Sequence, residues 1–366
     1  MKKDETMLNY LKRKQVAMRV QELFESMSEA GVKRLLITYP ELIEYVIGRR
    51  FHVSERFIGL LLQDGRATLF LNLLFPYINE EIEIVRFHDI EDPIALLADK
   101  LNGDELWVDR YFASGFLLRL LKLKPSLNVD DGTYSIDRIR ARKSLDEQDK
   151  MRAASRINDQ VMAEVRNVLI AGVTEIEIAE FITRRFNELA DGVSFPPIVA
   201  FGDHTADPHA ECGDRKLVEG MPIIIDMGCV KDGYCSDMTR SFSIGKAWNA
   251  EVYDTVKRAN LAGIAVVKPG VPLREIDAAA RKIIVDAGFG DQFIHRLGHG
   301  IGKEVHEPFD VSGVSGICAF EGMCFSIEPG IYLEGVGGVR IEDLVLVTAT
   351  GCEILNAYPK DNEVIR

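Results

Sequence analysis

The chain is 366 residues long, 47% hydrophobic and 28% charged, with a formal net charge of −13 and a pI near 5.2. That is the profile of an ordinary soluble protein with room for two domains, and its acidic balance argues against a nucleic-acid groove or an anionic membrane surface as partner. No apolar run approaches the ~20 residues of a membrane span, and the lysine-rich start leads into polar sequence rather than the apolar stretch of a signal peptide.

The first third alternates helices and strands. Val16, Val20, Leu23, Phe24 and Met27 recur at helical spacing up to Gly31, which reads as a C-cap. Residues 34–39 read as a strand, and 57–62 pair with 67–72 through the turn signal Asp64-Gly65. A strand at 81–87, a helix at 93–101, an extended stretch at 106–109 and a helix at 111–121 complete a small α/β domain over residues 1–130. It holds no constellation of catalytic residue types, and His52 and His88 read as surface or packing residues. A linker is expected over 131–143, where Asp131-Gly132 breaks the pattern and Arg138, Arg140, Arg142 and Lys143 gather.

The second domain is expected over 144–366. Ser144 with Glu147, and Thr174 with Glu177, are capping-box signatures that open helices running to about residues 170 and 189. The apolar run 221–225 reads as a buried strand. It leads to Asp226, the turn signal Asp232-Gly233 and a second strand over 234–242. Helices at 251–268 and 273–287 then precede another pair of strands, so a helix–helix–strand unit recurs. The six cysteines form no C-x-x-C pair, which points to reduced thiols in cytoplasm.

Each pair of strands carries a pair of acids. A turn centred near Lys231-Asp232 would set Asp226 opposite Asp237 on one face, roughly 5 Å apart at Cβ. A turn centred on Gly335 would do the same for Glu328 and Glu342. Their neighbours Phe325, Ile327, Val339, Ile341 and Leu344 are apolar, so the pairs read as buried. Buried carboxylates this close repel unless a proton or cation lies between them. His299 lies between the two hairpins in a run of glycines. Four carboxylates and an imidazole suit one or two divalent cations such as Mn, Co or Zn. Competing motifs fail. Gly298 to Lys303 is one residue short of a phosphate loop, with Glu304 where Ser or Thr is required, and His306-Glu307 meets Pro308 instead of continuing to H-E-x-x-H.

The ordered motifs Asp226-Met227-Gly228, Tyr234-Cys235-Ser236-Asp237-Met238-Thr239-Arg240, His295-Arg296-Leu297-Gly298-His299, Val305-His306-Glu307, Ile327-Glu328-Pro329-Gly330 and Val339-Arg340-Ile341-Glu342-Asp343 resemble those of the pita-bread metallopeptidases. That family includes methionine aminopeptidase, aminopeptidase P and prolidase. The resemblance, over about residues 145–350, implies an α+β pita-bread catalytic domain behind a creatinase-type α/β domain. It also implies a two-metal centre, manganese first among candidates, held by Asp226, Asp237, His299, Glu328 and Glu342. Such a centre lowers the pKa of a water, so that a nucleophile exists near neutral pH. Glu328 would carry its proton to the leaving nitrogen, and His209 and His306 match positions that contact substrate and steady the tetrahedral intermediate. His295 is a weaker candidate, Thr239 is expected to orient Asp237, and Arg340 is expected to bridge a carboxylate or the substrate. His204 reads as structural.

An N-terminal domain of this size fits the proline-specific branch, so the substrate is read as a proline-containing peptide cleaved at Xaa-Pro. Many prolidases place an arginine soon after Val-His-Glu to hold a dipeptide's free carboxylate. Residues 308–321 contain none, which tilts the reading toward an Xaa-Pro aminopeptidase over an Xaa-Pro dipeptidase. Relatives commonly dimerise, so a homodimer is expected. The different-class alternative is a non-catalytic binding protein of the same fold, disfavoured because all five ligand positions are filled.

Overall fold

The computed structural model describes the backbone of residues 2–366 and side chains from Lys14 onward; the lysine side chains at the start lie outside the described residues. The chain divides into two compact units between Arg140 and Ala141.

In the first unit, α1 (Lys2–Glu29) packs Val16, Leu23 and Met27 inward and ends before Gly31, which takes a φ of 71°. The strands β1 (Arg34–Ile37), β2 (Gly59–Gln63), β3 (Arg66–Asn72), β4 (Glu83–Phe87), β5 (Glu105–Val108) and β6 (Asn128–Asp131) form one mixed sheet in the order β4-β3-β2-β1-β5-β6. Asp64 and Gly65 close β2 on β3 with φ of 50° and 73°, the left-handed pair that a two-residue hairpin turn requires.

Helices fill two stretches where the sequence reading has none. α2 (Pro40–Ile47) starts on a proline, whose missing N–H costs nothing at a first turn, and stops on Gly48 in the left-handed region. Between it and the sheet's later strands come α3 (Pro93–Lys100) and α4 (Ser114–Leu123). The expected linker is largely helical as α5 (Thr133–Ala141). Ile136 and Ile139, three residues apart, pack into the first unit's core, which outweighs the turn signal and the charges around them.

The second unit is built twice. α6 (Leu145–Val168) and α7 (Glu175–Leu189) both start on the expected capping boxes. They pack Val161, Ile182 and Phe186 against β8 (Ile198–Phe201), β9 (Pro222–Met227) and β12 (Met238–Ile244); β7 (Gly192–Val193), β10 (Cys229–Lys231) and β11 (Tyr234–Cys235) form a small sheet beside them. α8 (Ala250–Ala265) and α9 (Leu273–Asp286) pack Val256, Ile276 and Ala280 against Phe325, Ile327 and Val345. These residues belong to a five-stranded sheet of β13 (Gly298–Gly300), β14 (Glu307–Val311), β15 (Cys324–Ile327), β18 (Asp343–Val347) and β19 (Cys352–Ile354). The ribbon β16 (Gly330–Leu333) and β17 (Gly337–Arg340) extends the β15–β18 hairpin, and β20 (Val364–Ile365) pairs with β12. The Glu342 N–H donates to the Thr239 carbonyl at 3.1 Å, tying one half to the other at the acids.

Candidate metal centre

The first acidic hairpin turns on Asp232 and Gly233, with φ of 50° and 75°, one residue later than the centre assumed from sequence. Val230 therefore faces Cys235, and Asp226 faces Thr239. Continued inward, that register sets Asp237 diagonal to Asp226, not directly opposite. Strand side chains alternate with a period of two, so the two-residue slip keeps both acids on one face. In the second hairpin Ile327 faces Asp343 and Gly330 faces Arg340, one shared register that places Glu328 opposite Glu342, as expected from a turn centred on Gly335.

His299 reaches the acids because β13 runs unusually close to its neighbours. A Cβ on Gly298 would lie 1.9 Å from the Ser326 carbonyl oxygen, and one on Gly300 would lie 2.3 Å from that of Pro308. Nδ1 of His299 lies 3.1 Å from the Gly300 carbonyl oxygen, which can only accept, so Nδ1 carries the proton and Nε2 presents a lone pair. Nε2 stands 3.8 Å from Asp237 Oδ2 and 3.4 Å from Glu328 Oε1. Asp237, His299 and Glu342 each bring one donor atom to within 4.8 Å of the others.

Buried negative charge dominates the centre. Arg340 answers part of it, donating to Asp226 Oδ2 at 2.6 Å, to the Tyr332 hydroxyl at 3.0 Å and, through Nε, to Thr239 Oγ1 at 3.1 Å. Thr239 in turn donates its hydroxyl hydrogen bond to Glu342 Oε2 at 2.9 Å. The expected bond to Asp237 is not the one formed, because Thr239 lies across from Asp226 and its carbonyl holds the Glu342 backbone. Three buried oxygens, Asp226 Oδ1, Asp237 Oδ1 and Glu342 Oε1, have no hydrogen-bond partner. Burial, then the charges of Glu342 and Asp226, push the Asp237 pKa well up. Burial, then Glu328 and Asp226, do the same to Glu342. Burial lifts Glu328 to about 7, against the pull of Arg340. His299 is lowered to about 3, first by burial and then by His306. Orphaned, crowded carboxylate oxygens beside a neutral imidazole nitrogen are a donor set that fits divalent cations of the Mn, Co or Zn kind.

Around this cluster, the His306 ring meets that of His299 edge-on, with centroids 4.2 Å apart. His306, although exposed as a residue, has its pKa lowered, first by partial desolvation and then by Arg296. His209 is exposed and close enough for its charge to disfavour those of His295 and His306. His295 is set back. Its Nδ1 faces the Arg296 carbonyl at 2.7 Å and its Nε2 accepts from the Tyr332 hydroxyl at 3.0 Å, and burial lowers its pKa to about 4. His204 bonds the buried Glu175 at 2.8 Å. Two participants carry no expected role. Tyr332 links Arg340 to His295, and Ser326 accepts the His299 N–H at 3.0 Å while donating to Glu328 Oε1 at 3.2 Å. Ser326 had a readable signal, since a residue two before Glu328 on a strand shares its face.

A family model for metallopeptidase family M24 matches residues 149–349, and one for the creatinase/prolidase N-terminal domain matches 19–142. An uncharacterized peptidase of Staphylococcus aureus strain USA300 is 35% identical over 356 residues, covering 93% of this chain and 99% of its own length. Among solved structures, dipeptidase PepE from Mycobacterium ulcerans is 34% identical with a TM-score of 0.90, over 96% of this chain and 98% of that one. A recombinant prolidase from Thermococcus sibiricus is 32% identical with a TM-score of 0.85, over 94% and 98%. The X-Pro aminopeptidase of Thermotoga maritima is 29% identical with a TM-score of 0.76, over 93% and 100%.

Proposed function

The chain belongs to metallopeptidase family M24, with a creatinase-type N-terminal domain and a pita-bread catalytic domain, and from that premise we propose that it is an Xaa-Pro dipeptidase. The observation that carries hydrolysis is the set of orphaned buried carboxylate oxygens, with Asp237 and Glu342 each bringing a donor atom to within 4.8 Å of one on His299. Similarity to a dipeptidase and a prolidase, greater than that to an X-Pro aminopeptidase, supports the dipeptide as substrate. A second reading, the Xaa-Pro aminopeptidase favoured by sequence, rests on the absence of arginine from residues 308–321.

Asp226, Asp237, His299, Glu328 and Glu342 would hold two divalent cations, manganese first among candidates. Bound there, the cations supply Lewis acidity, polarising a carbonyl and acidifying water. The remaining work belongs to the chain. Glu328, its Oε1 3.4 Å from His299 Nε2, takes a proton from the attacking water and gives it to the proline nitrogen as the C–N bond breaks. That nitrogen starts without an N–H, so this proton is what lets it leave as a secondary amine. Neutral His306 still has one N–H to offer the developing oxyanion, and His209 stands beside it for the same task. Arg340 and Thr239 fix the Asp226 and Glu342 carboxylates, and Tyr332 steadies Arg340.

The test is hydrolysis of Ala-Pro and Ala-Pro-Ala by chelator-stripped protein, with and without Mn, Co or Zn, beside Glu328→Ala. Metal-dependent cleavage restricted to Ala-Pro is the expected result. Release of alanine from the tripeptide would establish the aminopeptidase, and inactivity on both under every metal would leave a non-catalytic binding protein.

A further inference from the structure

Next to His306 in sequence lies one member of a buried ion pair that the mechanism above does not use. Lys143 Nζ donates to Glu307 Oε2 at 2.9 Å, the two side chains being 2% and 1% exposed. The other oxygen of Glu307 accepts the N–H groups of Lys303 at 2.9 Å and Glu304 at 3.3 Å. One carboxylate thus closes the loop that ends in His306. At its near end the Gly302 carbonyl accepts the N–H of Cys235, two residues before Asp237, at 2.7 Å. At its far end Glu307 pairs with Gly300, the residue after His299. Lys143 is itself fixed, its N–H donating to the Gly322 carbonyl at 2.8 Å and its carbonyl accepting from Gln148 at 2.9 Å.

Replacing a buried ion pair by uncharged groups of similar volume is often neutral or stabilising, so stability gives no account of these charges. We propose that Lys143 and Glu307 are positioning residues, holding the loop so that the His306 ring stands against His299 and faces the scissile carbonyl. The assignment rests on the reading of His306 as an oxyanion donor.

Lys143→Met combined with Glu307→Gln removes both charges at similar volume and leaves an amide oxygen to accept from Lys303 and Glu304. The variant is made in the wild-type and His306→Ala backgrounds, loaded with Mn and assayed on whichever of Ala-Pro and Ala-Pro-Ala the wild type cleaves. In the wild-type background kcat is expected to fall about 10-fold or more with KM changed less than about 3-fold. In the His306→Ala background the further loss should be under about 2-fold, because the pair acts through the ring already removed. The second readout needs neither metal nor turnover. In metal-free protein the His306 ring carbon resonance, identified by its absence from His306→Ala, should shift in the double variant while those of His52 and His88 stay.

Equal losses in both backgrounds, no loss in the wild-type background, or an unmoved His306 resonance would each overturn the assignment. Full activity of His306→Ala would remove His306 from the mechanism, and the positioning role with it, a result distinct from the others. Should the double variant not fold, Glu307→Gln alone, which keeps an acceptor for both N–H groups, enters the same cycle and is judged by the same outcomes.

Discussion

Stripped of cations, the catalytic unit should lose stability as pH rises from 6.5 to 8, the range where most proteins are steady. Asp237, Glu328 and Glu342 all have folded-state pKa values raised above their unfolded ones. Their contribution is fully present below the unfolded values near 4 and is lost as pH climbs through the folded ones. His295 and His299, lowered to about 4 and 3, and His306, lowered as well, act in the opposite sense, an effect that fades above the unfolded imidazole value of 6.5 while that of the acids persists across the window. Each proton that the folded site keeps and the unfolded chain does not costs about 1.4 kcal/mol per pH unit. A carboxyl that keeps its proton throughout removes ~2 kcal/mol across the window, and one titrating near 7, as Glu328 does, roughly 0.8 kcal/mol, or about 0.4–1 M of urea midpoint at an m-value of about 2 kcal/mol/M. The sequence has two tryptophans, one in each unit, so Trp107→Phe leaves Trp248 to report unfolding of the catalytic unit by fluorescence. Saturating Mn should abolish or reverse the slope, because a cation replaces the shared protons and binds better as they leave. A metal-free midpoint that stays flat or rises from 6.5 to 8 would refute the description of these carboxyls as crowded and undercompensated.

Further outcomes follow from single contacts. Glu328→Gln should lower kcat at least ~100-fold at saturating Mn while KM moves only a few-fold, as expected for a lost proton shuttle, and steady-state kinetics checks it. Thr239→Val deletes the hydroxyl bridging Arg340 and Glu342, and calorimetric Mn titration should show affinity reduced by about 10–100-fold. Arg340→Met leaves the Asp226 carboxylate buried without its partner and should cost about 3–5 kcal/mol in urea unfolding. Arg340→Lys should recover less than half of that, since an ammonium cannot fork between Asp226 and Tyr332. Gly298→Ala, whose methyl would lie 1.9 Å from the Ser326 carbonyl, should abolish Mn binding by forcing β13 and His299 away, which the same titration measures.

What the sequence disclosed was what short-range chemistry decides. The capping boxes at Ser144 and Thr174 are legible because every partner lies within four residues. The run Ile223-Ile224-Ile225 fits nothing so well as a buried strand. The Asp226 register was off by two because the signal Asp232-Gly233 does not by itself say which two residues occupy the turn. Strand parity kept both acids on one face regardless. α2 and α5, eight and nine residues long, are too short for periodicity to stand out, and each depends on apolar residues meeting a core that local sequence cannot display. Thr239 was given the wrong carboxylate for a related reason, since its true partner is 103 residues away. Lys143 and Glu307, separated by 164 residues, leave no local trace of their pairing at all.

Because Asp226 and Asp237 come from the first half of the catalytic unit and His299, Glu328 and Glu342 from the second, a growing chain cannot complete the proposed cation site until late in synthesis. Glu342 emerges 116 residues after Asp226, a delay of roughly 6–23 s at typical elongation rates of about 5–20 residues per second. Throughout that interval only part of the proposed ligand set has been made. With these five residues as ligands, cation selection would fall to the finished protein and the pool it meets rather than to the order in which the ligands are made.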